Sequence, residues 1–99
     1  MSWRFSARVW EWRGPAPHHF VSMPDEASAD LADDAASLSY GWGAIPVDVR
    51  IGETSFTTSV FPKDGVYIVP LKVAVRRAEG IEVGDEIRLD VGLTGRRKI

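Results

Sequence analysis

The chain contains no cysteine, which excludes disulfide bonds, thiolate zinc sites and a cysteine nucleophile. It also lacks a long apolar run, and its opening stretch MSWRFSARVW alternates charged with apolar residues, unlike a signal peptide or a membrane span. The formal net charge of −2 lacks the positive excess that non-specific nucleic-acid binding requires. We therefore expect a cytoplasmic protein without a membrane segment, whose partner is a small molecule or a protein rather than nucleic acid.

The composition is that of one folded domain. A hydrophobic fraction of 44% with 10% aromatic residues is typical of a folded chain, and 99 residues suit a single core. We find neither an internal repeat nor a low-complexity linker that would divide the chain. The prediction is one domain over residues 1–99, with a core in 1–94 and a loose basic tail in 95–99.

The first predicted strand, from Trp3 to Trp12, changes its alternation partway along. Up to Val9 it places apolar residues on one face and polar residues on the other. Trp10 and Trp12 then fall on the polar face. Two explanations stay open: a bulge re-aims the strand, or the two indoles line something outside the core.

The stretch from Val66 to Val91 has the clearest local pattern. It predicts a short strand, Val66–Val69, and then a helix that begins at Pro70, since proline fits the first turn of a helix but not a sheet ladder. Gly80 supplies the left-handed residue that ends the helix. A tight turn at Gly84 and an alternating strand complete a unit that contains no catalytic group. The apolar stripe predicted for the helix consists of Leu71, Ala74, Val75 and Ala78.

Another helix is predicted from Pro24 to Leu38, where Pro-Asp-Glu suits a helix N-terminus and the exposed face is acidic. The β-rich remainder contains a hairpin turn at Gly52-Glu53 and a second turn within Phe61–Gly65. Together the patterns predict a mainly β fold: a small closed β-barrel of about six strands with two short capping helices. Closure is expected because it removes exposed strand edges.

A set of short segments spread along nearly the whole chain carries a family likeness: Phe20–Pro24, Ile45–Val47, Phe56–Pro62, Asp64-Gly65, Val69-Pro70, Val75–Arg77, Gly80-Ile81 and Gly84-Asp85. These segments resemble the domain of unknown function 1905 family, most specifically between Pro70 and Asp85. The resemblance implies a small closed β-barrel with helical caps, similar in plan to the double-split barrels of AbrB-type regulators. It implies no activity. The Pro70–Asp85 block is also similar to the strand–helix–hinge of AbrB-type regulators.

The aromatic residues are the sharpest candidates for a binding site. Three tryptophans exceed what a regular alternating pattern needs, and binding pockets are mostly apolar with a few polar groups. In a small domain such residues more often fill the core, so burial as barrel-end plugs is the favoured interpretation and a ligand groove the alternative. The candidate ligand-binding residues are Trp10, Trp12, His18, His19 and Trp42.

No metal site or cofactor is predicted. His18 and His19 are the only histidines, and adjacent residues on a strand point to opposite faces, so they are not expected to share a metal ion. Asp30, Asp33 and Asp34 lack the spacing of a calcium loop and are expected to form a solvated acidic face.

The cations Lys72, Arg76 and Arg77 lie opposite the apolar stripe of the predicted second helix. They are candidates for phosphate contacts, although cations near a helix C-terminus are favourable without any ligand. With no nucleophile–base set legible, no catalytic residue is predicted. The function we expect is a non-catalytic binding or accessory domain for a small molecule or a protein, as a monomer or homodimer. The alternative is an AbrB-like nucleic-acid-binding regulator acting as a dimer.

Overall fold

The computed structural model describes residues 2–15, 18–37 and 43–94. Trp42 and the basic tail at 95–99 therefore lie outside the described residues. No helix within these ranges is both long and apolar enough to cross a membrane. The elements in chain order are β1 (Ser2–Arg8), β2 (Trp10–Trp12), β3 (His18–Ser22), α1 (Asp25–Ser37), β4 (Ile45–Ile51), β5 (Thr54–Lys63), β6 (Val66–Leu71), α2 (Val73–Glu79) and β7 (Glu86–Leu93).

The strands form one seven-stranded antiparallel sheet in the order β1-β7-β4-β5-β6-β3-β2, curled into an open half-barrel. The fold is mainly β with two helices, as predicted, but the closed barrel of about six strands was wrong. The two edge strands belong to one segment, in which only Val9 separates β1 from β2. That segment pairs with β7 before Val9 and with β3 after it, and no ladder between the described strands joins the two edges.

Val9 is the point where the first strand changes partner, and it confirms the predicted break in alternation. Its N–H donates to the carbonyl of Asp85 at 2.8 Å, and its carbonyl accepts from the N–H of Gly84 at 2.8 Å. These bonds replace ladder pairing at Val9, which lies outside both strands, and its side chain packs in the core. Trp10 and Trp12 then continue on the face away from the core.

The core lies on the inner face of the curled sheet, and its central residues are fully buried: Val21, Val47, Val60, Val69, Leu89 and Val91. Helix α1 packs against this face through Ala27 and Leu31. Ser28 fastens the helix to β6, since its hydroxyl donates to the carbonyl of Met23 at 3.4 Å and accepts from the N–H of Tyr67 at 3.0 Å. The predicted acidic helix is therefore confirmed, although Leu38 lies outside the described residues.

Helix α2 begins three residues later than predicted, at Val73, because Pro70 lies in β6 opposite Phe20. The ladder between β5 and β6 extends only to Ile68, so Pro70 occupies a part of β6 with one neighbouring strand, where a proline is tolerated. The predicted apolar stripe is wrong in part: Val75 is buried, while Ala74 and Ala78 are exposed.

The turns around α2 confirm the local predictions. Gly80 ends the helix in the left-handed conformation with φ of 64°, and the N–H of Ile81 donates to the carbonyl of Arg76 at 2.9 Å. Gly84 has a φ of 94°, and the Asp85 carboxylate accepts from the N–H of Glu82 at 2.9 Å. The hairpin turn at 52–53 is confirmed by the pairing of β4 with β5. The next turn is shorter than predicted, since β5 extends to Lys63.

Candidate functional site

The candidate ligand-binding residues lie mainly on the sheet face opposite the core. Residues paired across a ladder share a face. Trp10 pairs with Phe20 and Trp12 with His18, whereas Val21 and its partner Val69 point into the core. Four aromatic or imidazole rings therefore lie on adjacent strands outside the core. We call this region, together with the neighbouring Ile68, the aromatic surface: Trp10, Trp12, His18, Phe20 and Ile68.

Three rings of the aromatic surface contact one another in a row: Trp10, Phe20 and His18. The centroids of Trp10 and Phe20 are 5.1 Å apart with an interplanar angle of 31°, and those of Phe20 and His18 are 5.1 Å apart at 49°. The indole N–H of Trp10 donates to the hydroxyl of Ser22 at 3.0 Å. Trp10 is therefore fixed both by stacking and by a hydrogen bond, which gives it a defined orientation.

Trp10 and Trp12 differ in what they contribute to folding. Ile68 is 6% exposed, yet among the described buried hydrophobic residues it alone lies outside the main core cluster. Trp10 is half-buried and lines a surface groove together with Ile68, so the two side chains form a small second apolar cluster. Trp12 is 45% exposed and rests on Gly14, where even a methyl group would overlap the indole ring. Trp10 is thus part plug and part surface, whereas Trp12 is mainly surface.

A groove of about 290 Å³ opens beside Trp10. Its walls are apolar at Trp10 and Ile68, and its polar groups are the Ser22 hydroxyl and the ion pair between Lys63 Nζ and Asp64 Oδ2 at 3.2 Å. Since Ser22 Oγ accepts from the indole, its own proton remains to be donated to a ligand. The size and lining suit a small apolar or aromatic molecule that carries one polar group.

The two histidines are separated by the sheet, as predicted. His19 pairs with Glu11 on one side and with Leu71 on the other, and Leu71 is buried in the core. His18 instead lies against Phe20 on the opposite face. In the part of the chain that the structure describes, no three histidine, aspartate or glutamate residues converge as metal ligands. Of the five candidate residues, Trp10, Trp12 and His18 are therefore brought together, and His19 is not.

The candidate nucleic-acid-binding residues have different environments. Lys72 Nζ donates to the carbonyl of Thr57 on β5 at 3.1 Å. Arg76 is half-buried, and its Nε is buried without a hydrogen-bond partner among the described residues. Arg77 is exposed. Among these three cations, Arg77 alone is exposed and makes no hydrogen bond within the described ranges.

A second region of the outer face was missed in the sequence. Arg4 and Arg50 flank Asp90 across the ladders of β1, β7 and β4, and Arg88 follows on the same face of β7. Arg4 Nε donates to Asp90 Oδ1 at 2.6 Å. This hydrogen bond first, and then the carboxylate charge, raise the pKa of Arg4 above its ordinary value. We call Arg4, Arg50, Arg88 and Asp90 the arginine cluster.

The arginine cluster adjoins a wider groove. A recess of about 360 Å³ is lined by the cluster and Gly52. It shares Arg50 and Asp90 with a neighbouring groove of about 470 Å³, which reaches Asp48 and hydroxyl groups on β1 and β5. The alternation of each strand places these side chains on a polar face, but only the strand order brings residues 4, 50 and 88 together.

Comparison with known proteins identifies the family of the chain but no curated protein similar to it. A search of curated proteins found no match. The profile of one family, described as a domain of unknown function (DUF1905), matches residues 5–91, from β1 to β7. That match spans nearly all of the sheet described above and both helices. The chain therefore belongs to the DUF1905 family of domains of unknown function.

Proposed function

We propose that this domain is a non-catalytic binding module whose ligand is a small molecule with an apolar or aromatic ring, held on the aromatic surface. The observation that carries the proposal is the fixed row of Trp10, Phe20 and His18 on the face away from the core. Large aromatic rings on an outer sheet face expose apolar surface to water, which is unfavourable unless another group covers it. A ring of a ligand can cover them and stack on them favourably.

The polar groups of the groove support binding rather than catalysis. Ser22 Oγ, the hydroxyl in this groove, is hydrogen-bonded to an indole and not to a base that would activate it. The Lys63–Asp64 pair at the groove is exposed and lies where β5 ends and the following turn begins. These groups suit recognition of one polar substituent on the ligand. A protein segment that inserts one aromatic side chain into the groove is the other outcome that the experiment below distinguishes.

The test is an NMR titration in which backbone amide and indole N–H signals are followed during addition of indole, benzoate and glucose. We expect indole and benzoate to shift the signals of Trp10, Trp12 and Ser22, and glucose to leave them unchanged. Trp12→Ala should weaken the binding of indole and benzoate at least about threefold, since it removes one stacking surface. Val83→Ala is the control, because Val83 is 50% exposed on a different part of the chain.

The proposal fails if neither indole nor benzoate shifts the signals of the aromatic surface, if glucose shifts them equally, or if Val83→Ala weakens binding as much as Trp12→Ala does. If single rings do not bind but a peptide with one exposed tryptophan does, with the same shifted residues, the ligand is a protein segment and the small-molecule proposal is wrong.

The AbrB-like regulator is the second candidate, and Lys72, Arg76 and Arg77 are the observation that favours it. Phosphate-driven affinity requires many cations on one surface, and here Lys72 is engaged with β5 while Arg76 is partly buried. We therefore expect no submicromolar binding to duplex DNA at moderate salt. Fluorescence anisotropy with random and AT-rich duplexes measures this. Tight binding that falls with salt, and also on combined Arg76→Ala and Arg77→Ala, would favour the regulator instead.

A further inference from the structure

The arginine cluster has more positive charge than its own contacts use. Three guanidinium groups and one carboxylate line the recess, so positive charge is locally in excess there, although Glu86 on β7 and Asp48 on β4 share this face outside the recess. In the described residues, the hydrogen bonds engage only Arg4 Nε, with Asp90, and Arg50 Nε, with the carbonyl of Gly52 at 3.1 Å. The terminal nitrogens of both side chains and the whole guanidinium of Arg88 remain available to a ligand.

The cluster is held in place from two sides. Asp90 fixes Arg4 and lies directly opposite both Arg4 and Arg50 in the ladders. The carbonyl of Gly52, in the turn that follows β4, fixes Arg50. A planar guanidinium whose Nε is anchored presents its two terminal nitrogens as a fork, the geometry that suits phosphate or carboxylate oxygens.

The charge of the cluster favours a phosphate ester. A phosphate monoester carries about −1.5 to −2 charges at pH 7, which complements the local excess of guanidinium groups in the recess. Its three terminal oxygens also accept more hydrogen bonds than a single carboxylate does. A monocarboxylate would leave part of the cluster unpaired.

The neighbouring groove offers a carboxylate and hydroxyl groups, in contrast to the guanidinium donors of the arginine cluster. On this face Gly92 lies between Ser2 on β1 and Asp48 on β4, so its missing side chain leaves a hollow in the sheet surface. The hollow is bordered by hydroxyl groups and by the Asp48 carboxylate, which accepts from the hydroxyl of Thr94 at 3.0 Å. A carboxylate beside hydroxyl groups is suited to accept hydrogen bonds from a polyhydroxylated molecule.

We propose that this groove binds the phosphate monoester of a sugar or another polyhydroxylated molecule, with the phosphate on Arg4, Arg50 and Arg88 and the hydroxyl groups toward Asp48. This site is separate from the aromatic surface and does not depend on the function proposed for it. A nucleic-acid strand fits less well, because a second phosphate along the groove would meet Asp48 and Asp90.

Isothermal titration calorimetry at low ionic strength tests the proposal, with glucose 6-phosphate, inorganic phosphate, glucose and a short duplex DNA as separate probes. We expect saturable binding of glucose 6-phosphate at least about tenfold tighter than inorganic phosphate, and no binding of glucose. Arg88→Gln and Arg50→Gln should each weaken the ester about tenfold through loss of charge-assisted hydrogen bonds. Arg13→Gln is the matched control, since it removes the same charge from a side chain that is 86% exposed and outside the groove.

The hydroxyl contacts are tested by Asp48→Asn, which we expect to reduce the preference for the ester over inorganic phosphate while leaving phosphate affinity unchanged or higher. The proposal is overturned if Arg88→Gln and Arg50→Gln weaken the ester no more than Arg13→Gln does. Equal affinity for the ester and inorganic phosphate overturns the assignment of the hydroxyl groups. If the duplex DNA binds tightly and Arg88→Gln and Arg50→Gln each abolish that binding, the arginine cluster is a nucleic-acid site instead. Circular dichroism of each variant establishes that the fold is retained.

Discussion

The outer face of the sheet has two regions with opposite chemistry, and strand β5 runs through both. Its outward residues are Ser55 and Thr57 beside the arginine cluster and Phe61 opposite Ile68. On the aromatic surface the side chains bury each other, so that Ile68 is protected from water. In the arginine cluster the side chains stay exposed: Arg4 is 74% exposed even though it is paired with Asp90.

This difference separates stability from recognition. Burial of apolar area stabilises a fold, whereas exposed ion pairs contribute little because water and salt screen them. The aromatic surface is therefore expected to serve the fold as well as a ligand. The arginine cluster is expected to serve a ligand alone. The following substitutions test this comparison, from the largest expected effect on stability to the smallest.

Trp10→Ala should have the largest effect. It removes a half-buried ring that stacks on Phe20, breaks the hydrogen bond to Ser22 and exposes Ile68. We expect the free energy of unfolding to fall by about 2–3 kcal/mol, less than the loss for a fully buried tryptophan. Urea denaturation followed by circular dichroism measures it. A loss below about 1 kcal/mol would mean that the second apolar cluster does not stabilise the fold, and the comparison would collapse.

Gly84→Val tests the junction where the edge strand changes from one region to the other. The Gly84 N–H bonds the carbonyl of Val9, and Gly84 has a φ of 94°, a conformation that β-branched residues avoid. Apart from the two chain neighbours, no described atom lies within 4 Å of an added Cβ, so a clash at Cβ does not account for the effect. We expect a loss of about 1–3 kcal/mol by the same measurement.

The neighbouring Val83→Ala is the control for Gly84→Val, because it changes an exposed side chain in the same loop and no strained backbone angle. It should alter stability by less than about 0.5 kcal/mol. Equal effects at the two positions would show that the loop responds to any substitution and that the positive φ of Gly84 is not the cause.

The sequence predicted the features that depend on local chemistry. The helix end at Gly80, the turn at Gly84-Asp85 and the hairpin turn at Gly52-Glu53 follow from residues that are adjacent in the chain. The break after Val9 was also visible, since the alternation changes there. These predictions need no knowledge of which strands pair.

The features that depend on strand order could not be predicted from the sequence. Pro70 was predicted to start a helix because the end of the β5 ladder at Ile68 cannot be read from one sequence. The arginine cluster is formed by residues from three strands that are far apart in the chain. The row of Trp10, Phe20 and His18 likewise requires the register of β2 with β3.

Trp12→Ala distinguishes the exposed part of the aromatic surface from its buried part. The side chain is 45% exposed, so we expect a loss of stability below about 1 kcal/mol, together with the weaker ring binding predicted above. Acrylamide quenching should fall in this variant, because an accessible fluorophore has been removed. Gly14→Ala is the matched test, since its methyl group displaces the indole without deleting it. If quenching is unchanged in Trp12→Ala, this ring is covered in solution and is no binding surface.

Arg4→Gln should have the smallest effect on stability. Its hydrogen bond to Asp90 is short, but the guanidinium is exposed, and such pairs are offset by screening and by side-chain ordering. We expect no measurable change in the denaturation midpoint at low or at high salt. Asp90→Asn should behave in the same way, although it removes the negative charge that lies between Arg4 and Arg50. The double variant Arg4→Gln with Asp90→Asn distinguishes the effect of this ion pair from the effects of neighbouring charges. If both single variants and the double variant leave the denaturation midpoint unchanged, the pair does not stabilise the contact between β1 and β7. A clear loss in Arg4→Gln at low salt that disappears at high salt would show instead that the arginine cluster stabilises the sheet edge. The contrast with the aromatic surface would then be one of degree.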